Sequence, residues 1–197
     1  KILGAIGVEP ELGEDVAIWD PCAGYGRSGQ HLEGWGFAGR IILSDLVENI
    51  AWDAFDMRPD FFLADFLELS EAPESPISIF FNPPFSYKDG IWEDCARQAL
   101  KLATHRVVAI APLKYLHGGL RRGKLWRFDH PPQKVLVFEQ RPSMPPGDMI
   151  EALGTRAHRG GQIDYCAIVW DVREPTPHGE TRIIWLPRFD DPIEGLS

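Results

Sequence analysis

Cysteines and long apolar runs are scarce in this sequence, and their scarcity argues against several classes of protein. The three cysteines, Cys22, Cys95 and Cys166, are far apart and form no C-x-x-C pair. Neither a disulfide framework nor a metal site is therefore expected. No stretch approaches the roughly 18 consecutive apolar residues of a membrane span, and no secretory signal pattern opens the chain. We expect a cytoplasmic protein that forms one domain over residues 1–197.

The sequence also lacks the excess of positive charge that is typical of nucleic-acid-binding proteins. Its net charge is −9, which by itself argues against a polyanionic partner. However, residues 105–160 carry ten Lys or Arg and four acids, so this segment has a net charge of +6 and the remainder −15. A basic third on an acidic body fits contact with a polyanion on one side. A solvated face without a partner explains the same distribution.

Eight short apolar runs predict the strands of an α/β domain. The first five do not alternate with polar residues, which is typical of strands buried on both faces, and the last three have no helix of ordinary length between them. The runs cover residues 16–20, 40–45, 61–65, 77–82, 106–111, 134–139, 165–171 and 181–186. Helices are predicted over residues 26–35 and 90–103, the second with Asp89 as its N-cap. This alternation of strand and helix predicts a parallel sheet with right-handed crossovers.

A glycine-rich turn, Asp-Pro-Cys-Ala-Gly-Tyr-Gly-Arg-Ser-Gly, follows the first predicted strand over residues 20–29. Its glycines satisfy the G-x-G-x-x-G pattern, and Asp45 ends the next strand, so a nicotinamide-dependent oxidoreductase is one hypothesis. Asp20 argues against it, because a carboxylate repels a pyrophosphate and attracts an amine or a sulfonium. S-adenosylmethionine (SAM) carries both of these cations and no phosphate. A tight turn without any ligand is the third possibility.

Asp65 and Phe66 allow two interpretations. Asp65 ends the third predicted strand and is followed by the aromatic residue. In a cofactor site, Asp65 would accept a hydrogen bond from the adenine amine and Phe66 would lie against the adenine ring. The same pair equally fits a helix N-cap followed by a core phenylalanine.

The most specific motif, Asn82-Pro83-Pro84-Phe85, ends the fourth predicted strand. In a doubly wound sheet it lies at the carboxyl edge, beside the glycine turn. Two prolines make a stiff corner, where the Asn82 side-chain oxygen and the Pro83 carbonyl can both accept from one planar NH2 group. Phe85 offers a flat surface to the ring that carries this group. Such a corner positions an amino nitrogen for in-line attack on a sulfonium methyl group, although a proline-rich turn is the simpler alternative.

These motifs, in this order, resemble the class I SAM-dependent amino-methyltransferases, and most of all the small phage- or prophage-type DNA adenine-N6 enzymes. The resemblance covers roughly residues 16–171. It implies a Rossmann-like α/β fold with a seven-stranded, mostly parallel sheet that contains one antiparallel strand. It implies catalytic roles for Asn82, Pro83 and Phe85 and a substrate contact for Pro84. The residues that it implies for SAM binding are Asp20, Ala23, Gly24, Gly26, Asp45, Asp65 and Phe66.

We therefore predict methyl transfer to an exocyclic amino nitrogen, with adenine N6 of a flipped base in DNA as the expected acceptor. An amino group in RNA and a glutamine amide in protein present the same planar NH2 group, and an inactive SAM-binding subunit is a further alternative. The predicted substrate face is the basic segment 112–164, and its candidate contacts to phosphates and bases are Lys114, Tyr115, Arg121 and Arg122. Because no separate target-recognition domain is evident, discrimination among sequences is expected from loops or from a recognition subunit.

Overall fold

The computed structural model describes residues 2–7, 9–85, 88–117, 119, 123–143, 152 and 161–188. The α-helices in these ranges are α1 (Ile2–Ile6), α2 (Glu9–Gly13), α3 (Arg27–Gly34) and α4 (Ile91–Leu102). The strands are β1 (Ala17–Asp20), β2 (Ile41–Asp45), β3 (Asp60–Leu63), β4 (Ile77–Phe81), β5 (Arg106–Pro112), β6 (Lys134–Phe138), β7 (Tyr165–Asp171) and β8 (Arg182–Leu186). None of these helices is long and apolar enough to cross a lipid bilayer.

All eight strands form one sheet in the order β3-β2-β1-β4-β5-β7-β6-β8. Every neighbouring pair is parallel except those that involve β7, which runs antiparallel to both β5 and β6. The predicted mostly parallel sheet with one antiparallel strand is therefore confirmed. The carboxyl ends of the seven parallel strands all lie at one edge of the sheet, which we call the carboxyl edge.

The sheet has one strand more than the seven that the resemblance implies. The additional strand is β8, which pairs in parallel with β6 at the outer edge. Its side chains alternate in exposure: Ile183 and Trp185 are 54% and 58% exposed, whereas Leu186 is 1% exposed. This alternation is typical of a strand that is buried on one face only.

Apolar side chains cover both faces of the sheet. On one face, α4 packs through Trp92, Ala96 and Ala99, which are at most 1% exposed. On the other face, α1 contributes Ala5 and α3 contributes Leu32 to a second buried cluster. The strands between these layers are buried on both sides, which explains why their sequences are continuous apolar runs.

The two predicted helices are confirmed, each one residue shorter at either end. The N-cap of α4 is Gly90 and not Asp89, and no side chain caps this helix. Gly90 has a φ of 76°, in the left-handed region, and this conformation is open to glycine without steric cost. The backbone therefore turns into the helix at Gly90, one residue after the predicted N-cap.

A buried ion pair fixes the N-terminal segment to the edge of the sheet opposite the carboxyl edge. The Arg106 guanidinium contacts both carboxylate oxygens of Glu11, and it donates to the carbonyl oxygens of Ile6 and Gly7 at 2.9 and 2.8 Å. Glu11 is 1% exposed and Arg106 6%. The Ser78 hydroxyl donates to Glu11 at 2.9 Å, so every group in this buried cluster has a partner.

Candidate active site

Three neighbouring strands bring the main candidate residues together at the carboxyl edge. Asp45 ends β2, Asp20 ends β1, and Asn82 follows the last residue of β4. These strands are adjacent and parallel in the order β2-β1-β4, and neighbouring strands lie about 4.8 Å apart. Asp65 lies further along the same edge, two residues beyond the end of β3 rather than at its last position as predicted.

The Asp20 carboxylate is buried, and within the described ranges no positively charged side chain pairs with it. Its side chain accepts hydrogen bonds from the backbone N–H of Cys22, at 2.9 Å, and from the hydroxyl of Ser28. Burial raises the pKa of Asp20 to about 6, and the nearby Asp45 charge adds to this rise, although the two hydrogen bonds oppose it. A cation beside Asp20 would lower its pKa again, so the electrostatics here favour a positively charged ligand.

Asp45 holds the glycine turn in place through hydrogen bonds from the backbone. One of its carboxylate oxygens accepts from the N–H of Gly24 and the other from the N–H of Leu46, both at 2.7 Å. Each carboxylate oxygen can accept a second hydrogen bond. The carboxylate is therefore oriented by the protein and keeps acceptor capacity for a ligand such as the two hydroxyls of a ribose.

The glycines of the turn serve different purposes. At Gly24, where φ is 52°, a Cβ atom would have no neighbour within 4 Å, so this position faces open space. At Gly26 and Gly29, a Cβ atom would lie 3.0 and 3.1 Å from the ring of Phe55. Gly24 therefore leaves room for a ligand, whereas close packing against Phe55 already accounts for the other two glycines.

Two residues predicted to contact SAM have side chains that pack in the core. Phe66 is 4% exposed, and its ring packs edge-on against Trp19 and Phe81, with ring centroids 5.3 and 6.0 Å away. Asp65 accepts from the backbone N–H of Leu67 at 3.0 Å and so caps a short 3-10 turn. Burial of the Phe66 ring and the capping role of Asp65 agree with the N-cap and core interpretation, whereas contacts of either residue with adenine stay predictions. The Ala23 side chain, 7% exposed, also packs in the core.

Sequence reasoning missed two exposed apolar residues beside the turn. Leu46 and Val47 directly follow Asp45 and are 60% and 58% exposed. They provide an apolar surface next to the carboxylate, of the kind that a purine ring requires. The sequence did indicate that Leu46 and Val47 are exposed, since an apolar pair directly after a strand-terminal acid cannot continue the buried strand.

The Asn82–Phe85 corner is open to solvent at its polar end. Asn82 and Pro84 are exposed, Pro83 is buried and Phe85 is half-buried. No hydrogen bond to another described residue engages the Asn82 side chain, so its amide oxygen is available to a ligand. A proline-rich surface turn with Phe85 packed against the core has this exposure too, so the role of the corner in binding stays a prediction.

Two tyrosines hold the Phe85 end of the corner. The Tyr115 hydroxyl donates to the carbonyl oxygen of Phe85 at 3.1 Å, and the Tyr165 ring lies 5.6 Å from the Phe85 ring. Tyr115 itself packs edge-on against Trp92, and the Trp126 indole donates to its carbonyl oxygen at 3.0 Å. Tyr115, predicted as a substrate contact, therefore also positions the corner.

The other predicted substrate contacts are described only in part. Lys114 is exposed in the 3-10 turn Leu113–Leu116 that follows β5 at the carboxyl edge. Arg121 and Arg122 lie outside the residues that the structure describes. Cys22 is poorly suited to act as a nucleophile, because a hydrogen bond with Cys95 and burial raise the pKa of its thiol and so disfavour the reactive thiolate.

Comparison with known proteins supports the fold assignment. No family model and no curated protein matches the sequence, but 59 chains of known structure match. One is PH1948 from Pyrococcus horikoshii, provisionally described as an RNA methyltransferase, with 17% identity, a TM-score of 0.58 and coverage of 86% of this chain and 82% of the other. The fold is that of the SAM-dependent methyltransferases.

Two further matches act on very different molecules. A geranyl diphosphate methyltransferase, solved with its substrate and sinefungin, has 16% identity, a TM-score of 0.51 and coverage of 86% and 76%. The restriction-modification enzyme LlaBIII, solved on DNA, has 14% identity and a TM-score of 0.52, and the match covers 91% of this chain but 18% of that enzyme. The predicted Rossmann-like class I fold is confirmed.

Proposed function

We propose that this protein transfers a methyl group from SAM to a planar amino nitrogen, and that the acceptor is N6 of adenine in DNA. One observation carries the proposal. Adjacent strands place two carboxylates, Asp20 and Asp45, beside a solvent-exposed Asn82-Pro83-Pro84-Phe85 corner at the carboxyl edge of a methyltransferase fold.

The acidic half of this site fits SAM better than a dinucleotide. The carboxylates of Asp20 and Asp45 would repel a pyrophosphate, and they suit a ligand that carries an ammonium and a sulfonium. In our proposal Asp20 and the open space above Gly24 take the methionine end, Asp45 accepts from the ribose hydroxyls, and Asp65 accepts from the adenine amine. Bound SAM would supply an electrophilic methyl group on its sulfonium sulfur.

The other half of the site fits a flat ring with an exocyclic amine. The Asn82 amide oxygen and the Pro83 carbonyl would accept the two N–H groups, which draws the nitrogen toward tetrahedral geometry and frees its lone pair for attack. Phe85, braced by Tyr115 and Tyr165, would support the ring. The amine proton becomes acidic only as the N–C bond forms, so it can leave to water without a strong base. The rate acceleration then comes mainly from the positioning of the reacting groups.

The choice of DNA depends on the distribution of charge. The net charge of residues 105–160 is +6 in a protein of −9, and this segment supplies the exposed Lys114 at the same edge as the corner. A polyanionic substrate explains this arrangement better than a protein glutamine does. Base flipping would bring the adenine amine out of the duplex and into the corner.

The decisive experiment uses labelled SAM with DNA, RNA and protein in one reaction, followed by separation and nucleoside mass spectrometry. We expect the label in DNA as N6-methyladenine, formed far more slowly by the Asn82→Ala variant. Label confined to RNA or to protein would overturn the choice of DNA. A thermal-shift comparison provides the cofactor test, since stabilisation by NAD but not by SAM would contradict the methyltransferase proposal itself.

Affinity for SAM should depend on pH through Asp20, whose pKa is raised to about 6. A cationic ligand requires the ionised carboxylate, so affinity should rise with pH as Asp20 loses its proton. Titration calorimetry should therefore give roughly tenfold tighter binding at pH 7.5 than at pH 5. Asp20→Asn should bind weakly and show a flat profile, which separates Asp20 from other titrating groups such as His31. A wild-type affinity that is constant over this range would contradict the assigned role.

A further inference from the structure

A shallow, widely open groove lies at the carboxyl edge, on the side of the corner away from the glycine turn. Its volume is about 530 Å³, and it is lined by Glu139, Gln140, Arg141, Gly161, Asp164 and Arg188. These residues follow the carboxyl ends of β6 and β8 or precede β7. None of them has a part in the methyl transfer proposed above.

The groove is connected to the corner through the start of β7. Asp164 lines the groove, and the next residue, Tyr165, packs its ring 5.6 Å from that of Phe85. The Asp164 carbonyl oxygen also accepts from the N–H of Leu113, at 2.7 Å, at the end of β5. In the strand order, the groove lies two to four strands from β4, or about 10–19 Å at the usual strand spacing.

Close contacts within the described residues build the groove. Arg141 donates from Nε to the Asp164 carboxylate at 2.6 Å, which ties together the two ends of the connection between β6 and β7. A Cβ atom at Gly161 would lie 2.4 Å from the carbonyl oxygen of Pro142, so only glycine allows this approach of the two backbones. The groove is therefore fixed by the chain's own packing at this point.

The polar groups of the groove include one guanidinium that is available for a ligand. Arg141 is engaged by Asp164, whereas Arg188 is exposed and forms no ion pair within the part of the chain that the structure describes. Glu139 adds a carboxylate to the lining, so the groove is not a simple anion site. Its mixture of donors and acceptors suits a nucleotide, which presents both kinds of group.

We propose that this groove binds a nucleotide that flanks the target base, and that Arg188 holds it through a pair of acceptor atoms. The inference rests on the proposed nucleic-acid substrate and adds a second contact to it. Two sources supply such acceptors: the oxygens of a phosphate and the O6 and N7 atoms of a guanine. A contact at this distance from the corner would contribute to choosing a site on DNA.

Arg188→Ala and Arg182→Ala form a matched pair for the test. Both arginines are exposed and belong to the β8 region, but Arg182 begins the strand at the opposite edge of the sheet, far from the groove. In steady-state methylation, Arg188→Ala should raise KM for DNA roughly five- to tenfold with kcat and SAM affinity unchanged. Arg182→Ala should resemble the wild type. Equal KM values for the two variants would overturn the proposal.

Two further measurements identify the acceptor and separate this proposal from the function itself. If Arg188 contacts a phosphate, the Arg188→Ala variant should show a slope of log affinity against log salt concentration that is smaller by about one. If it contacts a guanine, the variant should lose the base preference at one flanking position. Both results support the groove. Oligonucleotide binding, measured by fluorescence anisotropy, tests the groove even if no methylation occurs. Weaker binding by Arg188→Ala but not by Arg182→Ala supports the groove. Equal binding by both variants rejects it.

Discussion

Asn82→Ala should lower kcat by about 10²- to 10³-fold, the usual effect of removing one preorganised hydrogen-bonding group from a reacting centre. The side chain is exposed at the corner, and its amide oxygen is one of two acceptors proposed to orient the amine. SAM affinity should stay at the wild-type value, because the proposed cofactor groups lie on β1 and β2 and not at the corner. Rapid-quench kinetics and titration calorimetry measure the two quantities separately.

The controls for this prediction use the same residue type. Asn49, the other asparagine of the chain, is exposed and has no assigned role, so Asn49→Ala should retain wild-type kcat. Asn82→Asp keeps an acceptor oxygen in the same place and should lose much less activity than Asn82→Ala. If Asn82→Ala retained full turnover, the corner would not be the site of methyl transfer. Loss of SAM binding in that variant would instead assign Asn82 to the cofactor.

Much of the fold was predictable because the central strands of its sheet are buried on both faces. A strand of this kind needs an unbroken apolar run, and each of the eight runs became a strand. Acids at the ends of such runs were equally informative, since Asp20 and Asp45 could not have lain inside the sheet without a partner. The order of these acids relative to Asn82 then followed from the doubly wound topology.

Other features depend on contacts between distant residues, which a local pattern does not encode. Phe66 lies in the core because Trp19 and Phe81 meet there, 47 and 15 positions away in the chain. Ser28 was not predicted as a partner of Asp20, because the hydroxyl reaches the carboxylate only when α3 folds back over β1. The resemblance was misleading in one respect: it implied seven strands, although the apolar run at 181–186 pointed to an eighth.

The pairing of Arg106 with Glu11 was also not predictable, since 95 positions separate them. Arg106→Leu should lower the free energy of unfolding by about 3–5 kcal/mol, because it leaves a buried carboxylate without its countercharge. Two carbonyl groups, those of Ile6 and Gly7, would also lose their donor. Chemical denaturation monitored by circular dichroism measures the loss.

Arg173→Leu provides the matched control, since Arg173 also links the N-terminal segment to the sheet. It pairs with Glu14 and with Asp171, each at 2.9 Å, but its own side chain is 34% exposed and that of Glu14 50%, so these pairs should contribute less to stability than the buried one. The double variant Glu11→Leu with Arg106→Leu removes both buried charges and should be more stable than Arg106→Leu alone. Equal losses for Arg106→Leu and Arg173→Leu, or a double variant less stable than Arg106→Leu, would mean that burial of the Glu11 charge is not the source of the effect.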